Sequence, residues 1–147
     1  MTSEPSRPRR VLVIDDDVHG REGLRALLSA EGYGVETAAD GLAAIRKMKD
    51  GGFDVAIIDL NLPELLGLTL SGWDLVRIQH AFDPGVAVVV ISADLGTDAA
   101  ARAEELEVEQ CLEKPIDPVQ LKAVLRTLRP RWRRGVREDP RATRRAG

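Results

Sequence analysis

Two short stretches of the chain are apolar at every position and then stop on aspartate: VLVI (11–14), followed by Asp15, Asp16 and Asp17, and VAII (55–58), followed by Asp59. A strand with one wet face alternates apolar and polar residues, so a run without alternation must be covered on both faces. That condition is met by the inner strands of a parallel sheet with helices above and below. The aspartates ending both runs then gather at the carboxyl edge of the sheet, where such sheets bind their ligands.

The rest of the chain supplies matching elements. A length of 147 residues suits one sizeable core. Numbering strands and helices in chain order, β1 is read over 11–14. Helix α1 is read over 18–30, with Leu24, Leu27 and Leu28 at helical spacing and Glu31-Gly32 closing it. β2 spans 34–38, and Asp40 caps α2, which runs to Lys49 and buries Ala44, Ile45 and Met48. β3 is the run at 55–58, α3 spans 73–82, and Asp83-Pro84-Gly85 turns the chain into β4 at 86–91. α4 is expected over 95–106, β5 over 109–112, and α5 from Asp117-Pro118, with proline in its first turn, to a stop at Pro130. Five strands alternating with five helices through right-handed crossovers define an α/β, doubly wound, five-stranded parallel sheet. Asp15, Asp16, Asp59, Ser92 and Lys114 all fall at predicted strand ends, converging on one crevice.

Charge divides the chain. The formal net charge is −3, yet 11–129 holds 21 acidic and 11 basic residues, whereas 130–147 holds seven arginines against Glu138 and Asp139. The expected organisation is an N-terminal extension (1–9), a folded domain (10–129) and a basic, disordered tail (130–147). An acidic fold argues against nucleic-acid binding except through the Arg-rich tail, where Trp132 stands among Arg131, Arg133 and Arg134. No stretch approaches the length of a membrane span, and MTSEPSRPRR lacks the apolar segment of a secretory signal. The single cysteine, Cys111, has no disulfide partner in the chain, and a cytoplasmic location is expected.

Carboxylates crowded at one sheet edge raise one another's pKa unless a counterion relieves them. Magnesium, a hard cation with octahedral oxygen coordination, suits Asp15, Asp16 and Asp59, and no Cys/His cluster is present to suggest zinc. His19 is near but isolated. An aspartate beside such an ion can act as a nucleophile on phosphorus. Phosphoryl transfer also asks for a fixed cation and a hydroxyl near the phosphoryl oxygens, for which Lys114 and Ser92 are placed.

The segments VLVIDDD (11–17), DVAIIDLNLP (54–63), VAVVVISAD (86–94) and LEKPID (112–117) together resemble the receiver domains of two-component response regulators, over about residues 10–129. The resemblance implies a flavodoxin-like sheet of strand order 2-1-3-4-5. It implies Asp59 as phosphoacceptor, Asp15 and Asp16 as Mg2+ ligands, Asn61 as a further ligand through its backbone carbonyl, Ser92 as switch hydroxyl and Lys114 as phosphate partner. A cis Lys114-Pro115 peptide is implied too. The expected protein is a stand-alone regulator, not an enzyme beyond its own phosphorylation and autodephosphorylation. A histidine kinase or histidine phosphotransfer protein would be its donor, a downstream protein would be met at the α4-β5-α5 face, and the chain would be a monomer or weak homodimer.

Two features depart from that pattern. SGWDLVR (71–77), the expected start of α3, arrives about five residues late, so a loop at 64–71 reads as an insertion, and Cys111 stands where most receivers carry an aromatic switch residue. Two alternatives compete. A haloacid-dehalogenase-like phosphatase shares the Asp, Ser and Lys set, but its first motif wants Thr or Val where His19 stands. A degenerate receiver acting as a constitutive binding module is disfavoured by the complete acceptor set.

Overall fold

The computed structural model describes residues 10–128 except 65, 66 and 68; the N-terminal extension, the Arg-rich segment and Leu65, Leu66 and Leu68 of the inserted loop lie outside the described residues. The elements in order are β1 (Arg10–Ile14), α1 (Val18–Ala30), β2 (Gly34–Ala38), α2 (Gly41–Asp50), β3 (Val55–Asp59), α3 (Gly72–Phe82), β4 (Ala87–Ser92), α4 (Ala99–Glu105), β5 (Gln110–Glu113) and α5 (Pro118–Thr127). All neighbouring strands pair in parallel, in the order β2-β1-β3-β4-β5.

The alternation of side chains along the inner strands builds two cores. Val11, Val13, Ile57 and Ile91 pack against Leu24 and Leu28 of α1 and Leu121 and Leu125 of α5. Leu12, Ile14, Ile58 and Val90 pack on the other face against Ala44 and Met48 of α2 and Leu75 and Val76 of α3. Both faces of β3 and β4 are buried throughout, which is why neither strand carries a polar residue before its end.

Side-chain caps fix the helix starts. Asp17 accepts from the Gly20 N–H at 3.1 Å and Asp40 from the Ala43 N–H at 2.8 Å, while Ser71 and Asp74 form a reciprocal capping box at α3. α3 therefore begins where SGWDLVR begins.

One element differs substantially from expectation. α4 starts at Ala99, four residues later than the periodicity suggests. Asp94 Oδ1 accepts the Gly96 N–H at 3.1 Å, and Gly96 adopts φ +74°, a left-handed turn through which a helix cannot pass. β4 and β5 each run one residue further than predicted because Ser92 pairs with Glu113 and its carbonyl accepts the Lys114 N–H at 2.8 Å. The Lys114-Pro115 peptide is cis. Among the described residues no helix is long and apolar enough to cross a membrane.

The junction of β3 and α3 leaves no room for a side chain at Gly72. Its N–H donates to the Leu60 carbonyl at 3.1 Å, and a Cβ there would lie 2.5 Å from both the Asp59 carbonyl oxygen and Leu60 Cα. Backbone cannot yield as a flexible side chain does, so Gly72→Ala is expected to destabilise the fold by about 2–4 kcal/mol, the upper range for single substitutions. Urea unfolding checks this, and a loss below about 0.5 kcal/mol would show that the junction relaxes freely.

Candidate functional site

Each residue of the site is delivered by the end of a strand. Asp15 follows β1, and its N–H continues the sheet by donating to the Ala38 carbonyl at 3.1 Å. Asp59 is the last residue of β3, Ser92 the last of β4, and Lys114 follows β5. The strand order places β1, β3, β4 and β5 side by side, so the four side chains meet above one edge.

Asp15, Asp59 and Ser92 are buried, whereas Asp16 is exposed. Carboxylate oxygens of Asp15, Asp16 and Asp59 lie within 4.8 Å of one another. Lys114 Nζ donates to Asp59 Oδ2 at 3.0 Å and stands 3.1 Å from Asp15 Oδ2. The second approach is close enough for charge attraction but off the line of a hydrogen bond, and Asp15 Oδ2 is a buried oxygen that receives no hydrogen bond. Asp15 Oδ1 accepts the Asp17 N–H at 3.0 Å, and Asp59 Oδ1 accepts the Asn61 N–H at 2.9 Å.

Burial pushes the Asp59 carboxyl above its ordinary pKa, the Asn61 N–H and the Lys114 ammonium pull it partly back, and Asp15 adds to the rise. Burial alone would lower the pKa of Lys114, but its hydrogen bond to Asp59 and the charges of Asp59 and Asp15 together hold it above the usual value. The ammonium is thus firmly charged between two carboxylates that share it.

An orphaned buried carboxylate oxygen with two further carboxylates nearby is the environment a hard divalent cation satisfies, and among the described residues the group is made of carboxylates alone. The donor set therefore fits magnesium.

The sequence brought forward Asp15, Asp16, Asp59, Asn61, Ser92 and Lys114, and the structure gathers them. It also adds two features. The Asn61 side-chain amide donates to Ser92 Oγ at 3.0 Å, tying the residue two past Asp59 to the hydroxyl. Ser92 Oγ in turn donates to the Asp94 carbonyl at 3.0 Å and accepts the Asp94 N–H at 3.1 Å. Sequence spacing carries no signal for the amide's direction. Asp17 serves as the α1 cap, and His19 stands on α1 beside the site rather than in it.

The chain matches the response regulator receiver domain family over residues 11–126. It is 33% identical over 119 residues to the transcriptional regulatory protein PrrA of Mycobacterium tuberculosis, covering 81% of this chain and 49% of that protein. In structure it resembles the chemotaxis protein CheY4 of Vibrio cholerae, with TM-score 0.73, 26% identity and coverage of 82% of this chain and 98% of that one. It also resembles a CheY-like receiver domain from Methylobacillus flagellatus, with TM-score 0.66, 30% identity and coverage of 80% and 95%. The chain spans a quarter to a half of the length of curated relatives it matches.

Lys114→Met would leave Asp15 and Asp59 facing each other with no cation between them. The expected result is a loss of about 1–3 kcal/mol at neutral pH in magnesium-free buffer. The loss should shrink as pH falls through the raised pKa of Asp59, because its charge, and with it the repulsion, disappears from the folded state. Chemical denaturation across pH 4 to 8 measures it, and a pH-independent loss would mean that Lys114 acts by packing alone.

Proposed function

The chain belongs to the response regulator receiver domain family, and on that premise we propose that Asp59 accepts a phosphoryl group from a histidine kinase or histidine phosphotransfer protein in a magnesium-dependent reaction. The observation that carries this reading is the buried Asp59 carboxylate, hydrogen-bonded to Lys114 at 3.0 Å, with oxygens of Asp15 and Asp16 within 4.8 Å. Receiver domains are signalling domains rather than conventional enzymes, and the output proposed here is a protein contact made at the α4-β5-α5 face.

Asp15, Asp16, Asp59 and the Asn61 carbonyl would hold the ion, which when bound offsets negative charge on the transferring group. The protein's own residues do the rest. Asp59 must be ionised to attack, and the Asn61 N–H and Lys114 oppose the effect of burial on its carboxyl. Lys114 can exchange its bond to Asp59 for one to a phosphoryl oxygen without leaving its place, since Asp15 holds the ammonium from the other side. Ser92 can offer its hydroxyl to another phosphoryl oxygen by giving up the Asp94 carbonyl. Binding is thus mostly positioning and charge stabilisation, as phosphoryl transfer requires. The acidic balance of residues 11–129 makes this segment a poor match for phosphate backbones.

The test is incubation with beryllofluoride or acetyl phosphate, with and without magnesium, for the natural protein and Asp59→Asn. An adduct at Asp59 seen by mass spectrometry, dependent on magnesium and absent in the variant, is expected. Rapid turnover of small phosphate esters would point to a phosphatase, and no adduct under any condition to a constitutive binding module. Without magnesium, Asp59→Asn should be more stable than the natural protein at neutral pH, by roughly 1 kcal/mol. The raised carboxyl pKa gives the sign: the folded state favours protonated Asp59, so that contribution is present at low pH and lost as pH rises through the raised value. Thermal unfolding without metal reads it.

A further inference from the structure

Successive side chains of an extended strand point to opposite faces of the sheet. Asp15 and Asp16 follow β1 one after the other, yet their carboxylate oxygens lie within 4.8 Å of each other and of Asp59. The chain achieves this by bending at Asp16. The hydrogen bonds of Asp15 show how the bend is held. Its N–H still belongs to the sheet, donating to the Ala38 carbonyl at 3.1 Å, but β2 ends at Ala38 and has no further strand N–H for the Asp15 carbonyl.

Arg21 takes that place. Its N–H donates to the Asp17 carbonyl at 2.9 Å, which sets it on α1, and its Nη1 reaches back to donate to the Asp15 carbonyl, also at 2.9 Å. A charged donor makes a stronger tie than a neutral one, and this tie falls on the peptide that joins the two aspartates. Because it is made to a carbonyl and not to a carboxylate, it leaves the acidic oxygens, the unbonded Asp15 Oδ2 among them, for a cation.

We propose that Arg21 is a positioning residue for the metal: by holding the Asp15 carbonyl it keeps the bend that brings Asp15 and Asp16 together beside Asp59, and so raises the affinity of the site for magnesium. The inference rests on the magnesium-dependent acceptor reading above. Its sign is opposite to the one that charge alone gives. A guanidinium near a cation site repels the cation, so if Arg21 acted only through its charge, removing it would tighten magnesium binding. Acting through position, its removal weakens binding, as loss of a group that orients metal ligands does by about ten- to a hundredfold. Arg25, one turn further along α1, supplies the comparison. It carries the same charge but is engaged elsewhere, with Thr37 Oγ1 at 2.8 Å and Glu22 at 3.2 Å.

Titration calorimetry of magnesium into the metal-free protein tests this. Arg21→Met, which keeps the aliphatic stem and loses the donor, is expected to raise the Kd about tenfold or more. Arg21→Lys returns a charged donor to the carbonyl and should recover most of that loss, while Arg25→Met should stay within about twofold of the natural protein, its charge being screened by solvent. At saturating magnesium, Arg21→Met should form the beryllofluoride adduct at Asp59 as fully as the natural protein does. Thermal unfolding in metal-free buffer checks that each variant folds, and Arg21→Gln, with the same expected rise in Kd, is titrated if Arg21→Met does not. Unchanged or tighter magnesium binding by the Arg21 variant, an equal loss in Arg25→Met, or an adduct still missing at saturating magnesium overturns the inference and leaves Asp59 as acceptor. Failure of the natural protein to bind magnesium overturns the magnesium-dependent reading and this inference with it.

Discussion

Lys114 is held 3.0 Å from Asp59 and 3.1 Å from Asp15, and the edge of the sheet is arranged around that shared ammonium. Two carboxylates buried side by side are costly, and a single cation satisfies them only in part: Asp59 Oδ2 receives a hydrogen bond and Asp15 Oδ2 does not. The fold tolerates this because its stability comes from elsewhere. Two apolar layers on either side of β3 and β4 exclude water without any contribution from the site. The residual imbalance is what makes the edge chemically useful, since a group that brings positive charge, or an anion bridged by a cation, relieves it.

The geometry around the site follows from how strands end. β3 and β4 are apolar until their last residues because they have no wet face, and β1, apolar from Val11 to Ile14, gives way to Asp15 in the same manner. Close approach is then required of the connecting chain. Gly72 lies against the backbone of Asp59 and Leu60, and Gly20 allows α1 to start against Asp15. These glycines serve the placement of carboxylates rather than turns, since neither has a left-handed φ.

Much of this was legible in the residues. The uninterrupted runs at 11–14 and 55–58 can be buried only on both faces, and their terminal aspartates then have one place to go. Helix caps at Asp17, Asp40 and Asp117 carry their own chemistry in the sequence. The start of α4 was not legible, because Leu95, Leu106 and the alanines between them keep helical spacing whatever the backbone does at Gly96. Its left-handed turn is set by a hydrogen bond from its N–H to Asp94, a local contest between turn and helix that periodicity does not weigh. Nor was the Asn61 amide bond to Ser92, which depends on the distance between two strand ends.

The late start of α4 bears on how Ser92 connects to the rest of the molecule. Its hydroxyl is bonded to the Asn61 amide and to the backbone of Asp94, and Asp94 in turn fixes Gly96. Any movement of Ser92 toward Asp59 must break the bond to the Asp94 carbonyl, and so reaches the turn that delays α4. Cys111 offers no comparable lever. It is half-buried beside Val90 against the apolar layer that holds Ile14 and Ile58, burial pushes its thiol pKa up, and its short side chain has no swing to make. In a chain without an aromatic residue at that position, the hydrogen-bonded segment 92–96 runs directly from the sheet edge at Ser92 to the start of α4.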